Sequence, residues 1–134
     1  MAKLVEIEGI GETYAAKLAE QGITTVEALL SAGGGAKGRE QLAEATGISR
    51  KLILEWVNLA DLFRIKGIGE EYSDLLEEAG VDTVAELAQR NPENLYRALA
   101  ETNQAKRLVR RLPSQRQVAY WVEQAKELPR AVEY

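Results

Sequence analysis

Two stretches decide the reading of this chain: Ile7-Glu8-Gly9-Ile10-Gly11-Glu12 and Ile65-Lys66-Gly67-Ile68-Gly69-Glu70. Each sets two glycines around an isoleucine, immediately before a segment with helical periodicity. Glycine reaches positive φ without steric penalty and lets another group approach the main chain. The isoleucine between the glycines is expected to turn inward and fix the turn. The amides that follow open a helix, where partial positive charge favours an anion such as phosphate.

The two stretches belong to a longer duplication. Residues 4–30 laid over residues 62–88, at a constant shift of 58, share 13 of 27 positions without a gap. Gly9, Ile10, Gly11, Glu12, Tyr14, Leu18, Gly22, Thr25, Val26 and Leu29 recur as Gly67, Ile68, Gly69, Glu70, Tyr72, Leu76, Gly80, Thr83, Val84 and Leu87. Further on, Leu42-Ala43-Glu44 aligns with Leu99-Ala100-Glu101, then Ser49, Ile53 and Trp56 with Ser114, Val118 and Trp121. The shift grows from 57 to 65 between those blocks, so the second copy carries eight extra residues near 103–113. A repeat of this length sets the architecture before any other feature.

The periodicity within each copy is that of helices. Tyr14, Ala15 and Leu18 share one face, as do Tyr72, Leu75, Leu76 and Ala79. Gly22 and Gly80 sit where left-handed caps end those helices. Thr24 with Glu27, and Thr83 with Glu86, fit capping boxes for the next helix. Ser49 opens a helix carrying Ile53, Trp56, Val57 and Ala60, and Ser114 with Gln117 does the same for Val118, Trp121, Val122 and Ala125. Pro129 then stops the chain from continuing as helix. No alternating β pattern occurs. The expectation is an all-α, internally duplicated protein of about eight helices. Its units are residues 1–60 and residues 61–134, the second with the insertion near 103–113. Trp56 and Trp121 are expected in the core, with Tyr14 and Tyr72 half-buried.

At the paired glycines the sequence resembles the helix-hairpin-helix family. That resemblance implies a hairpin that grips a sugar-phosphate backbone without reading base sequence. It makes Gly9, Ile10, Gly11, Gly67, Ile68 and Gly69 the candidate nucleic-acid-binding residues. A degenerate third hairpin lies at Thr46-Gly47-Ile48-Ser49-Arg50-Lys51, with Ser49 in place of the second glycine, so residues 4–60 look like one paired unit. The whole chain is also similar to an uncharacterised bacterial family, a domain of unknown function, assembled from such repeats. This wider likeness implies a fold and no activity. The sequence departs from the DNA-binding pattern after the glycines, where Glu12, Glu70 and Glu71 stand in place of lysine, with Asp74 one turn on.

Composition removes several classes of function. Histidine and cysteine are absent, and with them the usual zinc ligands, the usual general base and any disulfide. No phosphate-binding loop of the Gly-x-x-x-x-Gly-Lys-Ser/Thr type and no Gly-x-Ser-x-Gly elbow is present. The Gly33-Gly34-Gly35-Ala36-Lys37-Gly38 run follows a helical segment rather than a strand, and reads as a flexible inter-helix loop. No catalytic set, metal or cofactor is expected, and no membrane span. With no signal-like leader, the expected location is the cytoplasm.

Charge divides the remaining readings. The chain has 17 basic and 21 acidic residues, a net charge of −4 and a pI near 5.0, whereas nucleic-acid domains are typically basic. Yet residues 102–122 contain no acidic residue and hold Lys106, Arg107, Arg110, Arg111 and Arg116. Ala105, Leu108, Val109 and Leu112 have helical spacing, which predicts a helix with Lys106, Arg107, Arg110 and Arg111 as a cationic flank. Arg50 and Lys51 would extend that patch if the fold brought them near. One reading is therefore a non-enzymatic module that binds DNA weakly and without sequence preference. It would use the hairpin amides of Gly9, Gly11, Gly67 and Gly69 together with the basic flank. In the other, the hairpins are structural and the partner is a protein meeting an acidic or mixed helical surface.

Overall fold

The computed structural model describes residues 2–134. Among them the fold is all-helical, with eight α-helices, a 3-10 turn at Leu4–Glu6 and one isolated bridge pairing Lys3 with Thr25. The helices are α1 (Glu12–Ala19), α2 (Val26–Gly33), α3 (Ala36–Thr46), α4 (Arg50–Leu62), α5 (Glu70–Glu78), α6 (Val84–Leu87), α7 (Pro92–Lys106) and α8 (Gln115–Glu127). The first four belong to the first copy of the repeat and the last four to the second. None of the described helices is long and apolar enough to cross a membrane.

Local chemistry sets the helix boundaries. Thr25 caps α2 by accepting from the Ala28 amide, so the cap is one residue later than the Thr24-Glu27 spacing predicts. Thr83, Asn91 and Ser114 cap α6, α7 and α8 in the same way, and Ser114 forms a full reciprocal box with Gln117. Helices α1 and α5 end alike. The Ile23 amide donates to the Leu18 carbonyl and the Gly22 amide to Ala19; in the second copy Val81 donates to Leu76 and Gly80 to Glu77. Gly22 and Gly80 have φ of +79° and +97°, which completes a Schellman closure in each copy. The residues flanking each closure, Leu18 with Ile23 and Leu76 with Val81, are all buried.

The chain divides into two compact units. Residues 1–61 together with 131–134 form one, and residues 62–130 form the other. Residues 131–134, which the repeat places with the second copy, instead pack with the first. The first unit buries Ile7, Ile10, Leu18, Leu29, Ile53 and Trp56 among others. The second gathers Ile65, Ile68, Leu75, Leu76, Leu87, Leu95, Val118 and Trp121 into one cluster.

Two further sequence expectations fail, each for a physical reason. The basic helix over residues 105–112 does not form. Helix α7 ends at Lys106, Arg107 turns left-handed at φ +51° and ψ +50°, and 107–113 is irregular chain. Asn103 holds that chain: its side-chain oxygen accepts from the Val109 amide at 2.9 Å, and its side-chain nitrogen donates to the Val109 carbonyl at 3.2 Å. Val109 is buried, and Leu108 and Leu112 pack against the same core, so the apolar spacing is satisfied without a helix. Pro113 opposes a helical conformation at the residue before it as well. The triglycine run is not a loose linker either: Gly33 closes α2, Gly35 opens α3, and Gly33 and Gly34 are buried.

The two glycines of each hairpin differ in what they tolerate. Gly9 and Gly67 stand at φ +93° and +96°, and a Cβ on either would lie 3.1 Å from the Nε1 of Trp56 or Trp121. Gly11 and Gly69 have ordinary negative φ, and a Cβ there meets nothing within 4 Å. Denaturant unfolding should therefore show Gly67→Ala and Gly9→Ala destabilised by about 1–3 kcal/mol. Gly69→Ser and Gly11→Ser should remain within about 0.5 kcal/mol of the parent.

Candidate functional site

Each hairpin is built by one recurring arrangement. The Ile10 amide donates to the Ile7 carbonyl at 3.1 Å, and the Ile68 amide to Ile65 at 3.2 Å, closing a four-residue turn. Gly9 or Gly67 occupies its third position, where positive φ is needed. Ile10 and Ile68 are buried, as their place between glycines predicts. The indole of Trp56 covers Gly9 and that of Trp121 covers Gly67. Tyr14 and Tyr72 lean on those indoles, with ring centroids 5.0 and 5.3 Å apart and planes tilted by 58° and 53°. Tilted aromatic pairs of this kind contribute about 0.5–1.5 kcal/mol beyond their burial.

Beyond the turn, Gly11 and Gly69 are the N-caps of α1 and α5 and supply no side-chain cap. The first amides of those helices are thus left to solvent or to an incoming acceptor. Gly9, Gly11 and Gly67 are exposed and Gly69 half-buried. Exposed Glu12, Glu70 and Glu71 occupy the same first turns, where they complement the helix dipole. The segment read as a degenerate hairpin shares only part of this arrangement: Gly47 is left-handed at φ +76° and Ile48 is buried, but the Ile48 amide donates to the Thr46 hydroxyl, no indole lies over Gly47, and Ser49 accepts from the Leu52 amide at the start of α4.

The second hairpin carries two supports that the residues alone did not announce. Gln124 brackets Lys66: its side-chain oxygen accepts from the Lys66 amide at 3.0 Å, and its side-chain nitrogen donates to the Lys66 carbonyl at 3.3 Å. Tyr72, in the first turn of α5, donates its hydroxyl to the Arg111 carbonyl at 3.0 Å. The irregular segment holding exposed Arg107, Arg110 and Arg111 is thereby tied to the helix that this hairpin opens.

The remaining candidate cations are distributed differently from the sequence expectation. Lys106 pairs with Glu78 at 2.7 Å and is not part of a continuous cationic flank. Arg50 and Lys51 lie in the first unit, at the start of α4, where with Ala36, Arg39 and Leu54 they line a shallow surface groove. Among the described residues, no group of three or more histidine, cysteine or carboxylate side chains is placed to hold a metal ion.

Residues 8–128 match a protein family described as Domain of unknown function (DUF4332). The chain belongs to that family. The matched span of this DUF4332 protein takes in both hairpins, both tryptophans and the basic segment. Comparison with curated proteins and with solved structures returns no match.

One residue of the DUF4332 domain stands out by its backbone. Of the described residues with positive φ, five are glycine and Arg107 is the exception. The corresponding helix of the first copy, α3, ends on left-handed Gly47. An L-residue in that conformation costs about 1–2 kcal/mol. Arg107→Gly should therefore raise unfolding stability by about 0.5–1 kcal/mol while removing a charge. A thermal or denaturant melt checks this, and a less stable variant would mean that the arginine side chain compensates for its backbone.

Proposed function

We propose that this DUF4332 protein is a non-enzymatic module that binds nucleic acid through its phosphate backbone, without sequence preference, and that the second unit carries the contact. The hydrogen bond from Tyr72 to the Arg111 carbonyl is the observation that favours this reading. It puts three exposed arginines on a segment anchored to the helix whose uncapped N-terminus follows Gly67-Ile68-Gly69. Backbone amides and a helix N-terminus orient a phosphate, and arginines add charge and bidentate hydrogen bonds. A left-handed arginine where the first copy keeps glycine is consistent with a side chain retained at the expense of stability.

A first hairpin flanked by Glu8 and Glu12 offers no comparable cationic segment in its own unit, because the insertion belongs to the second copy. Its role is then architectural. The carboxylates of Glu12, Glu70 and Glu71 favour the second reading, a module that docks a basic protein surface. At an effective dielectric near 20, a carboxylate about 4 Å from a phosphate is repelled by roughly 4 kcal/mol. Binding to phosphate therefore requires these flexible side chains to swing away from the hairpin mouth.

Fluorescence anisotropy of labelled duplex and single-stranded DNA separates the two readings. Phosphate binding predicts a dissociation constant of order 10⁻⁵ M that weakens with salt, with a log–log slope of about −3 for three arginines. Arg110→Ala with Arg111→Ala should reduce that slope by about two and weaken unrelated sequences alike. Tyr72→Phe keeps every charge but frees the loop, and should weaken binding about two- to five-fold, the equivalent of about 0.5–1 kcal/mol. Absence of salt-dependent binding by the folded protein at low ionic strength would overturn the proposal in favour of the protein-docking reading.

A further inference from the structure

The triglycine turn, which takes no part in the hairpins, is occupied. In the first unit, segment 131–134 runs against the junction of α2 and α3. The Glu133 amide donates to the Gly34 carbonyl at 2.8 Å. Arg39 lies in α3 and is only 6% exposed, and its guanidinium reads three carbonyls. Nη1 donates to Gly33 and Gly34 at 2.9 Å each, and Nη2 donates to Glu133 at 2.6 Å. Val132 is buried, while the Tyr134 ring lies 5.9 Å from the Arg39 guanidinium and its hydroxyl donates to the Asn58 side-chain oxygen at 3.3 Å.

Recognition here rests on the main chain and on the absence of a side chain. A Cβ at Gly34 would come within 2.5 Å of the Ala131 carbonyl oxygen and 2.9 Å of the Leu30 carbonyl oxygen, although the Gly34 backbone itself is right-handed at φ −62°. Positive φ does not demand glycine at this position; the passing segment makes the tighter of the two contacts that do. Glu133 contributes its amide and carbonyl and leaves its side chain exposed. Arg39 is a buried cation, which is costly unless its hydrogen bonds are filled, and one of its three acceptors comes from the segment. The cleft thus takes a short non-helical peptide: one side chain is buried at Val132, main-chain groups are used at Glu133, and the mostly exposed Tyr134 reaches Asn58 through its hydroxyl.

We infer that Gly33, Gly34, Arg39 and Asn58 form a peptide-acceptor site that the chain fills with its own residues 131–134, and that the same segment of a second copy of this chain enters it in exchange. A segment of four residues held by its main chain, buried Val132 and the Tyr134 hydroxyl, and linked through Pro129 and Arg130, is the kind of element that copies exchange. The internal occupant has the advantage of being tethered, so exchange becomes visible when one copy lacks a usable cleft and the other a usable segment.

Two full-length variants make that test. Gly34→Ala keeps the segment and blocks the cleft; Glu133→Pro keeps the cleft and removes the amide that pairs with Gly34. Neither substitution alters a hydrophobic core side chain. Fluorescently labelled Gly34→Ala protein titrated with Glu133→Pro protein should show a saturable rise in anisotropy, at least ten-fold tighter than either variant against itself. Circular dichroism checks that both chains keep their helices. If Gly34→Ala fails to fold, a labelled synthetic peptide spanning Leu128–Tyr134 replaces it as the probe of the Glu133→Pro cleft. The same peptide with proline in place of Glu133 must then bind at least ten-fold more weakly. No rise in the mixture of folded variants, or equal binding of the two peptides, overturns the inference.

Discussion

An indole ring lying over a left-handed glycine is the contact on which each unit depends. Trp56 over Gly9 and Trp121 over Gly67 join the start of a unit to its last long helix, across most of its sequence. The contact combines positive φ with a seat so close that a Cβ would lie 3.1 Å from the indole nitrogen, and glycine meets both conditions without strain. Tyr14 and Tyr72 brace the indoles from the helix that follows each turn. Turn, tryptophan and tyrosine then fix where α1 or α5 begins. The direction of its uncapped N-terminus is a consequence of core packing rather than of loop chemistry.

The duplication supplied this arrangement twice, and the copies have since diverged around it. In the first copy, α3 ends on Gly47 and a short turn leads through Ile48 to α4. In the second, α7 runs longer, ends on left-handed Arg107, and needs the Asn103 side chain to hold the extra chain before Ser114 restarts a helix. Tyr72 uses its hydroxyl to hold that chain, a partner that has no counterpart in the shorter first copy. The copies share core geometry and differ in their loops, because loops accommodate insertions while the glycine–indole seat does not.

Much of the fold could be read from residues because the informative features are local. Gly22 and Gly80, Thr83, Ser49 and Ser114 act within one turn of their own positions, and the burial of Ile10, Ile68, Trp56 and Trp121 follows from spacing alone. The failures lie where a distant or competing group decides. Ala105, Leu108, Val109 and Leu112 have helical spacing, yet the Asn103 amide and Pro113 capture that stretch as irregular chain. The cationic flank dissolved with the helix, and Lys106 turned to Glu78, a partner 28 residues away. Thr25 rather than Thr24 caps α2, a one-residue choice between adjacent threonines that spacing does not settle. The role of the triglycine run was hidden because its partner, segment 131–134, is nearly a hundred residues distant, and nothing near Gly34 signals it.

The central claim is that the second hairpin, and not the first, presents main-chain amides to phosphate. Backbone amide NMR of the labelled full-length protein during titration with a short DNA duplex at low salt tests it most directly. The account predicts that the Gly67, Gly69 and Glu70 amides and those of residues 107–111 shift together and saturate together, while Gly9, Gly11 and Glu12 stay near their free positions. Equal shifts at both hairpins, or shifts confined to residues outside these segments, would contradict it.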